Sequence, residues 1–475
     1  MTRLEKKSIT VAAAVILLLL PLTIIIPYGQ QQWHHLPFTA EAGEGGPCID
    51  YDQSENTISI NCNASFLDVV QTINDPDIIE NLGTGEYLLN ANLEVADDVT
   101  FEMSSNGDSL QYLKITGENG IIVYGKILIN GVKITSWDTS DEDVVSQDMN
   151  GTVPRGYVQF AASEGSQIIN SEFGYLGDVE PGRRGFDLFG GGGPSHDLEI
   201  RGSKFHDMWM AFYSNGAYNI VVDGNEYYNN IKYSLDPHTT THDMNITNNW
   251  IYNNPIGPIC SDRCWNILIE GNLIQDTTNA AIFFSRNMTD SIARNNHVIN
   301  ARAGILVSES PNNQIYNNIV EGATEQGILL FNPDIPDDGS TEGNTVYNNV
   351  ISSSENGIRS TRSHNNVVEN TTFSDIELSE YRLLGDSSLT IRGQHFDNAL
   401  ISEDDSETGN VVEIVDSGII EVTEGEADEE DEEDEDDDGD DAEDEEGEGN
   451  SYNTDSEPYR RTLGDGDSIT VNSST

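Results

Sequence analysis

The chain has 475 residues, 36% of them hydrophobic, and carries 83 acidic side chains against 22 basic ones for a formal charge of −61. That charge argues against non-specific nucleic-acid binding, while the apolar content is enough to fill a core and excludes disorder for most of the chain. The length allows one large domain or two ordinary ones, and with only seven lysines among the basic residues the surface suits salt or life outside the cytoplasm.

Arg3, Lys6 and Lys7 precede an apolar run over residues 9–26 that is broken only by Thr10, Pro21 and Thr23. The pattern is that of a secretory signal or a single membrane anchor, so residues 1–42 are assigned to an export segment plus linker. Either outcome places the remainder outside the cytoplasm, secreted or held at the cell surface through its N-terminal segment. Six N-x-[ST] sequons, at Asn63, Asn150, Asn245, Asn287, Asn370 and Asn472, agree with that location. The four cysteines form two local pairs, Cys48 with Cys62 and Cys260 with Cys264, and export makes disulfides the expected state of both, with three connectivities formally open. A CxxxC pair with no second Cys pair or nearby His at ligand spacing is a weak zinc signal, so no metal ligand is assigned.

Residues 66–73 predict a short amphipathic helix able to cap the N-terminal end of a solenoid, since an uncapped solenoid exposes unpaired strand edges. Residues 43–130 are assigned to this cap and to early, less regular coils such as those containing Tyr87-Leu88-Leu89 and Ile127-Leu128-Ile129. From Ile168 onward a short unit recurs, anchored on Ser171, Ser203, Asn225, Asn249, Asn272, Asn296, Asn318, Asn349 and Thr371. Six of the eight intervals are 22 to 24 residues, and the two long ones, of 32 and 31, contain the glycine run 190–193 and the Pro/Asp/Gly stretch 333–339. Short β-branched stretches split by Asn and Gly turns at this period, without helical periodicity, predict an all-β chain whose residues 131–400 form a right-handed parallel β-helix. The recurring Asn would then hydrogen-bond along the stack.

On a strand, residues two apart share a face, so Asp236 and His238 point the same way in Leu235-Asp236-Pro237-His238 while Leu235 points inward. Counted from the anchors, His238, Asp262, Arg286 and Glu309 lie 13, 13, 14 and 13 residues on, which predicts one column of ionisable groups. Arg155, Arg183, Arg184, Lys204, Lys232 and Arg263 occupy the same or neighbouring coils, a gathering of scarce cations where a polyanion could bind.

Tyr233-Ser234-Leu235-Asp236-Pro237-His238 resembles the Y-G-[FI]-D-P-H signature of mannuronan C5-epimerases, which convert mannuronate to guluronate within alginate. The resemblance covers roughly residues 130–310: Arg155-Gly156-Tyr157 and Tyr175-Leu176-Gly177 upstream, and Ile282-Phe283-Phe284-Ser285-Arg286 downstream, are similar to segments of the periplasmic branch. Ser234 stands where the family has Gly, and no match is found for a Lys of the secreted branch. The resemblance implies His238 and Tyr233 as the proton-transferring pair, with Asp236 and Asp262 positioning the sugar or tuning His238. Arg286, Arg263, Arg155, Lys232 and His242 are the expected substrate-binding residues. Inverting C5 of a uronate removes a proton α to a carboxylate, which must be neutralised as the enediolate forms. A polysaccharide lyase would share that first abstraction, and a non-catalytic glycan-binding or adhesive solenoid is the alternative of another class. Strand parity turns Tyr233 inward beside Leu235 unless a bulge intervenes.

After Phe373 the repeat fades from the sequence, and residues 424–449 hold 20 acids and no base. Residues 401–475 are therefore assigned to a solvated, low-complexity acidic tail. No cofactor is required with certainty, calcium remaining possible through that run.

Overall fold

The computed structural model describes residues 47–189, 193–333, 339–393, 401–403, 410–415 and 468–472. The export segment and the run of acids lie outside the described residues. Each coil consists of three short strands joined at three corners. In one coil, Tyr218–Asp223 lies on a first face, Glu226–Tyr228 on a second and Tyr233–His238 on a third. The next coil repeats this with His242–Thr247, Trp250–Tyr252 and Ile256–Cys260, paired in parallel at Val222 with Ile246, Tyr227 with Ile251 and Tyr233 with Ile256. The architecture is thus a parallel β-helix, as the repeat predicts.

Alternation along the first two strands sends Ile220, Val222 and Tyr227 to full burial and their neighbours outward. Because coils stack in register, like side chains meet inside: Phe173, Phe205 and Tyr227 stack as nearly parallel rings with centroids 5.1 and 5.0 Å apart. The strands Leu273–Phe284 and His297–Ser308 run for 12 residues through the corner between second and third faces, merging the two into one continuous sheet. At the N-terminal end, Phe66–Ile73 is the expected helix, opened by a capping box of Ser65 and Asp68 and seated through Phe66 and Val69.

Corners bury backbone groups that no strand satisfies, and the anchor residues satisfy them. Asn272 donates from Nδ2 to the Ile246 carbonyl at 2.9 Å and to Asn296 Oδ1 at 3.0 Å, while its own Oδ1 accepts from Asn249 N and Nδ2, each at 2.9 Å. The same arrangement links Asn225, Asn249, Asn296, Asn318 and Asn349. Serine replaces Asn at Ser203 and Ser171, where the Ser203 backbone N–H donates to Asn225 Oδ1 and the Ser171 N–H to Ser203 Oγ.

The solenoid continues beyond the point where its repeat fades in sequence. Ser379–Leu384, Ser388–Arg392, Ile401–Glu403, Val411–Val415 and Ser468–Asn472 extend the third and first faces in parallel, which corrects the reading of 401–475 as tail throughout. Alternation persists there: Leu389, Ile391, Val412 and Ile414 are buried, and Ser387 N donates to Asn410 Oδ1 at 2.9 Å.

Asn272→Ala removes the acceptor of the buried Asn249 N–H and one acceptor of its Nδ2. It is expected to destabilise the fold by about 2–4 kcal/mol, measured as a lower denaturant midpoint; an unchanged midpoint contradicts a supporting role for the ladder.

Candidate active site

The strand Tyr233–His238 departs from regular alternation where the chemistry sits. Ser234 and Leu235 are both fully buried, and the residues stacked on them, Ala211 and Phe212, belong to the central core. Two successive residues therefore face inward, and Tyr233 emerges on the outside, packed with Trp209, Met210 and Tyr213 on one side and with the Ile256 cluster on the other. No residue is inserted to bring this about: the strand keeps one register with both neighbours, Met210 with Tyr233 and Tyr213 with Asp236 on one side, Tyr233 with Ile256 and Leu235 with Pro258 on the other, so the bulge that strand parity required is absent and the departure is one of side-chain direction.

Stacking sets the electrostatics. Asp187 pairs with Tyr213 and Tyr213 with Asp236, so two carboxyls flank a phenol in one column across three coils. The Arg184 guanidinium lies 4.2 Å from the Tyr213 ring centroid and its Nη1 3.8 Å from Asp187 Oδ2. Both carboxyls are essentially sealed, and burial raises each to about 7, against the opposing charge of Arg184. Asp236 Oδ1 accepts from Ser261 Oγ at 2.8 Å. Asp187 Oδ1 and Arg184 Nη1 are buried with no hydrogen-bond partner among the described residues. Burial likewise pushes the Tyr213 phenol up to about 12. Lys232 holds its ammonium 5.6 Å from the Trp209 ring and 5.5 Å from Tyr233, and burial lowers its pKa.

His238 ends the strand with its ring 5.3 Å from Tyr213 and Nδ1 2.6 Å from Thr239 Oγ1. Burial lowers its pKa to about 4; Asp262 opposes that shift, and Arg184, Arg286 and Arg263 reinforce it. The imidazole is neutral at pH 7, the form in which it accepts a proton.

The third corner of the following coil supplies the remaining groups. Cys260 and Cys264 are bridged, as are Cys48 and Cys62, so both expected disulfides form. Between the first pair lie Ser261, Asp262 and Arg263. Asp262 is buried, with Oδ2 2.6 Å from Arg263 Nη2 and Oδ1 without a hydrogen-bond partner among the described residues. The expected column needs one adjustment. Ser261 stacks on His238, while the Asp262 carbonyl accepts from Thr240 N and the Arg286 carbonyl from Arg263 N. Asp262 and Arg286 thus begin one position later than His238, at the corner itself, because the strand ends at His238. The Asp262 carboxylate and the Arg263 and Arg286 guanidinia all bear on the proton affinity of His238.

Two expected substrate ligands lie elsewhere. Arg155 is fully buried and its guanidinium donates to four backbone carbonyls, those of Gly177, Val145, Asp207 and Leu176 at 2.7 to 3.3 Å, so it braces loops and does not reach a sugar. His242 opens a first-face strand around the corner, where its ring stacks between Tyr218 and Trp265 at 5.2 and 4.2 Å and pairs with Asp243 at 2.7 Å.

Asp187, Tyr213 and Ser261 are site residues that the sequence reading did not single out, and it named Arg184 only among the gathered cations. Arg184 and Asp187 fall within the 32-residue interval, where counting from anchors fails. A usable signal was present: Phe186-Asp187-Leu188, like Leu235-Asp236-Pro237, places an Asp between two inward-facing neighbours on a strand.

Folding lowers the proton affinity of His238, so between pH 6.5 and about 4 the native state binds fewer protons than the unfolded chain, and this group subtracts stability as pH falls through that window. Imidazole NMR is expected to titrate His238 well below its ordinary value, and His238→Gln to weaken the loss of stability on acidification; a midpoint at or above 6.5 contradicts this. Arg155→Met is expected to cost about 3–5 kcal/mol in stability, by chemical denaturation, with no change in affinity for polyuronate among the molecules that remain folded.

The family described as right-handed beta helix region matches residues 184–334. A mannuronan C5-epimerase of Pseudomonas putida is 24% identical over 264 residues, which are 52% of this chain and 50% of that protein. The mannuronan C5-epimerase AlgG of Azotobacter vinelandii is 26% identical over 264 residues, 52% of this chain and 49% of its own. The chain thus spans about half the length of these relatives. The crystal structure of the periplasmic alginate epimerase AlgG superposes with a TM-score of 0.57 at 18% identity, over 77% of this chain and 85% of that one, a likeness of fold. The chain is a right-handed parallel β-helix that resembles the mannuronan C5-epimerases over half its length.

Proposed function

We propose that the chain is an extracytoplasmic polyuronate C5-epimerase acting on an alginate-like polymer. The observation that carries this reading is His238, held neutral on an outward side where Arg184, Arg263 and Arg286 all exert their charge. The sequence similarity to mannuronan C5-epimerases supports it independently.

In the proposed reaction His238 takes the proton from C5, and the C–H electron pair passes into the adjacent carboxylate as an enediolate. The guanidinia neutralise that charge, with Arg184 the best placed: stacked on Tyr213, it keeps a buried Nη1 without a hydrogen-bond partner among the described residues. Asp187 and Asp236, sealed behind Tyr213 and titrating near 7, can hold protons and so leave the positive field of Arg184 uncancelled at the sugar carboxylate. Return of a proton to the opposite side of C5, assigned to the Tyr233 phenol, completes inversion. Expulsion of the C4 substituent from the same enediolate would instead give a lyase product.

Incubating the protein with polymannuronate is expected to produce guluronate signals in proton NMR without absorbance from unsaturated chain ends. Absorbance would identify a lyase, and binding without either change would identify a glycan-binding solenoid. Repeating the assay with added calcium and with a chelator tests whether calcium takes part. His238→Ala is expected to lower turnover about 10³-fold with a nearly unchanged thermal transition. Arg184→Gln is expected to lower kcat/KM about 10²-fold, with partial recovery in Arg184→Lys.

A further inference from the structure

One corner of the solenoid is closed differently from its neighbours. At the third corner of other coils a hydroxyl closes the turn: Thr241 Oγ1 donates to the His238 carbonyl at 2.7 Å, Ser310 Oγ to the Ser308 carbonyl at 2.8 Å and Ser387 Oγ to the Leu384 carbonyl at 2.7 Å. The hydroxyls of Ser163 and Ser166, and of Ser360 and Ser363, meet at 2.7 Å. Among the described residues only one third corner is closed covalently, that between Cys260 and Cys264. Both half-cystines lie in the central core, and Cys264 occupies the place before the first-face strand that Thr241 holds one coil earlier.

What this corner carries sets it apart. Ser261 holds Asp236, Asp262 bears the carboxylate whose charge reaches His238, and Arg263 adds a guanidinium. The corner's backbone is like that of its neighbours, Arg263 adopting φ of 46° where Arg286 adopts 47° and Glu309 51°, so the difference lies in the closure and in the groups carried. A loop this short restricts the unfolded chain little, so the bridge adds less to global stability than a long-range one would. Its larger effect is on the turn.

We infer that the Cys260–Cys264 disulfide is a positioning device: it locks Ser261, Asp262 and Arg263 in the orientation that serves Asp236 and His238, a task the hydroxyl closures of neighbouring corners perform too loosely. The turnover consequence rests on the epimerase reading; the effect on the corner does not. A displacement of about 1 Å at such groups lowers turnover far more than affinity.

The test compares the full chain with Cys260→Ala/Cys264→Ala and with Cys260→Val/Cys264→Thr, the second rebuilding the hydroxyl closure of Thr241. Hydrogen exchange is read at the amides of Thr240 and Arg263, which donate across the corner to the Asp262 and Arg286 carbonyls, with Asn225 and Asn272 as ladder controls. In the alanine variant the two corner amides are expected to exchange roughly tenfold faster while the controls stay unchanged. On polymannuronate, kcat is expected to fall roughly tenfold with KM within about twofold, and the threonine variant to recover part of it. Unchanged exchange and turnover in the alanine variant would overturn the inference, as would loss of the ladder controls' protection in both variants, which would make the bridge a general stabiliser. If the natural chain proves inactive on polymannuronate, the epimerase reading fails, and the exchange arm still decides whether the bridge holds the corner.

Discussion

Parallel stacking at about 4.8 Å per coil is the constraint from which the rest follows. Every strand must offer its hydrogen bonds along the axis, and every corner must satisfy buried backbone groups without interrupting that repeat. The Asn ladder meets the second requirement because an amide side chain donates and accepts at once, so each Asn serves the coils on both sides of it. Serine fills the same place with fewer bonds at Ser171 and Ser203, which lie toward the early coils.

The same stacking builds the candidate site. Groups far apart in sequence, such as Asp187 and Asp236, are brought two coils apart in one column with Tyr213 between them. Nothing in a flat surface would force two carboxyls and a guanidinium so close together. Here their proximity costs little extra, because backbone pairing has already fixed the positions. Burial beneath neighbouring coils then raises the carboxyls and lowers His238, so the field of the site comes as much from exclusion of water as from charge.

Much of this was legible in the sequence, and the limits are instructive. The period of the anchors revealed the solenoid, and the parity of Asp236 and His238 revealed which side carries the chemistry. Tyr233 was legible only conditionally, since parity alone turned it inward and the burial of both Ser234 and Leu235 comes with their stacking on Ala211 and Phe212. Arg155 was misread because its charge suggested a ligand, whereas four carbonyls from three separate segments converge on it. His242 was misread because four residues after His238 the chain has already turned onto another face. Arg184 and Asp187 escaped because an insertion displaced them from the count.

The amino-acid order alone determined the repeating unit, its inward residues, the local cysteine pairing and the motif around His238, because these depend on neighbours within one turn or on a period of 22 to 24 residues. Only the tertiary structure decided which side chains share a column, where a strand departs from alternation and which charges lose their water. Those depend on contacts between coils, and an insertion of a few residues in one coil shifts sequence distances without moving the stacked positions that the hydrogen bonds enforce.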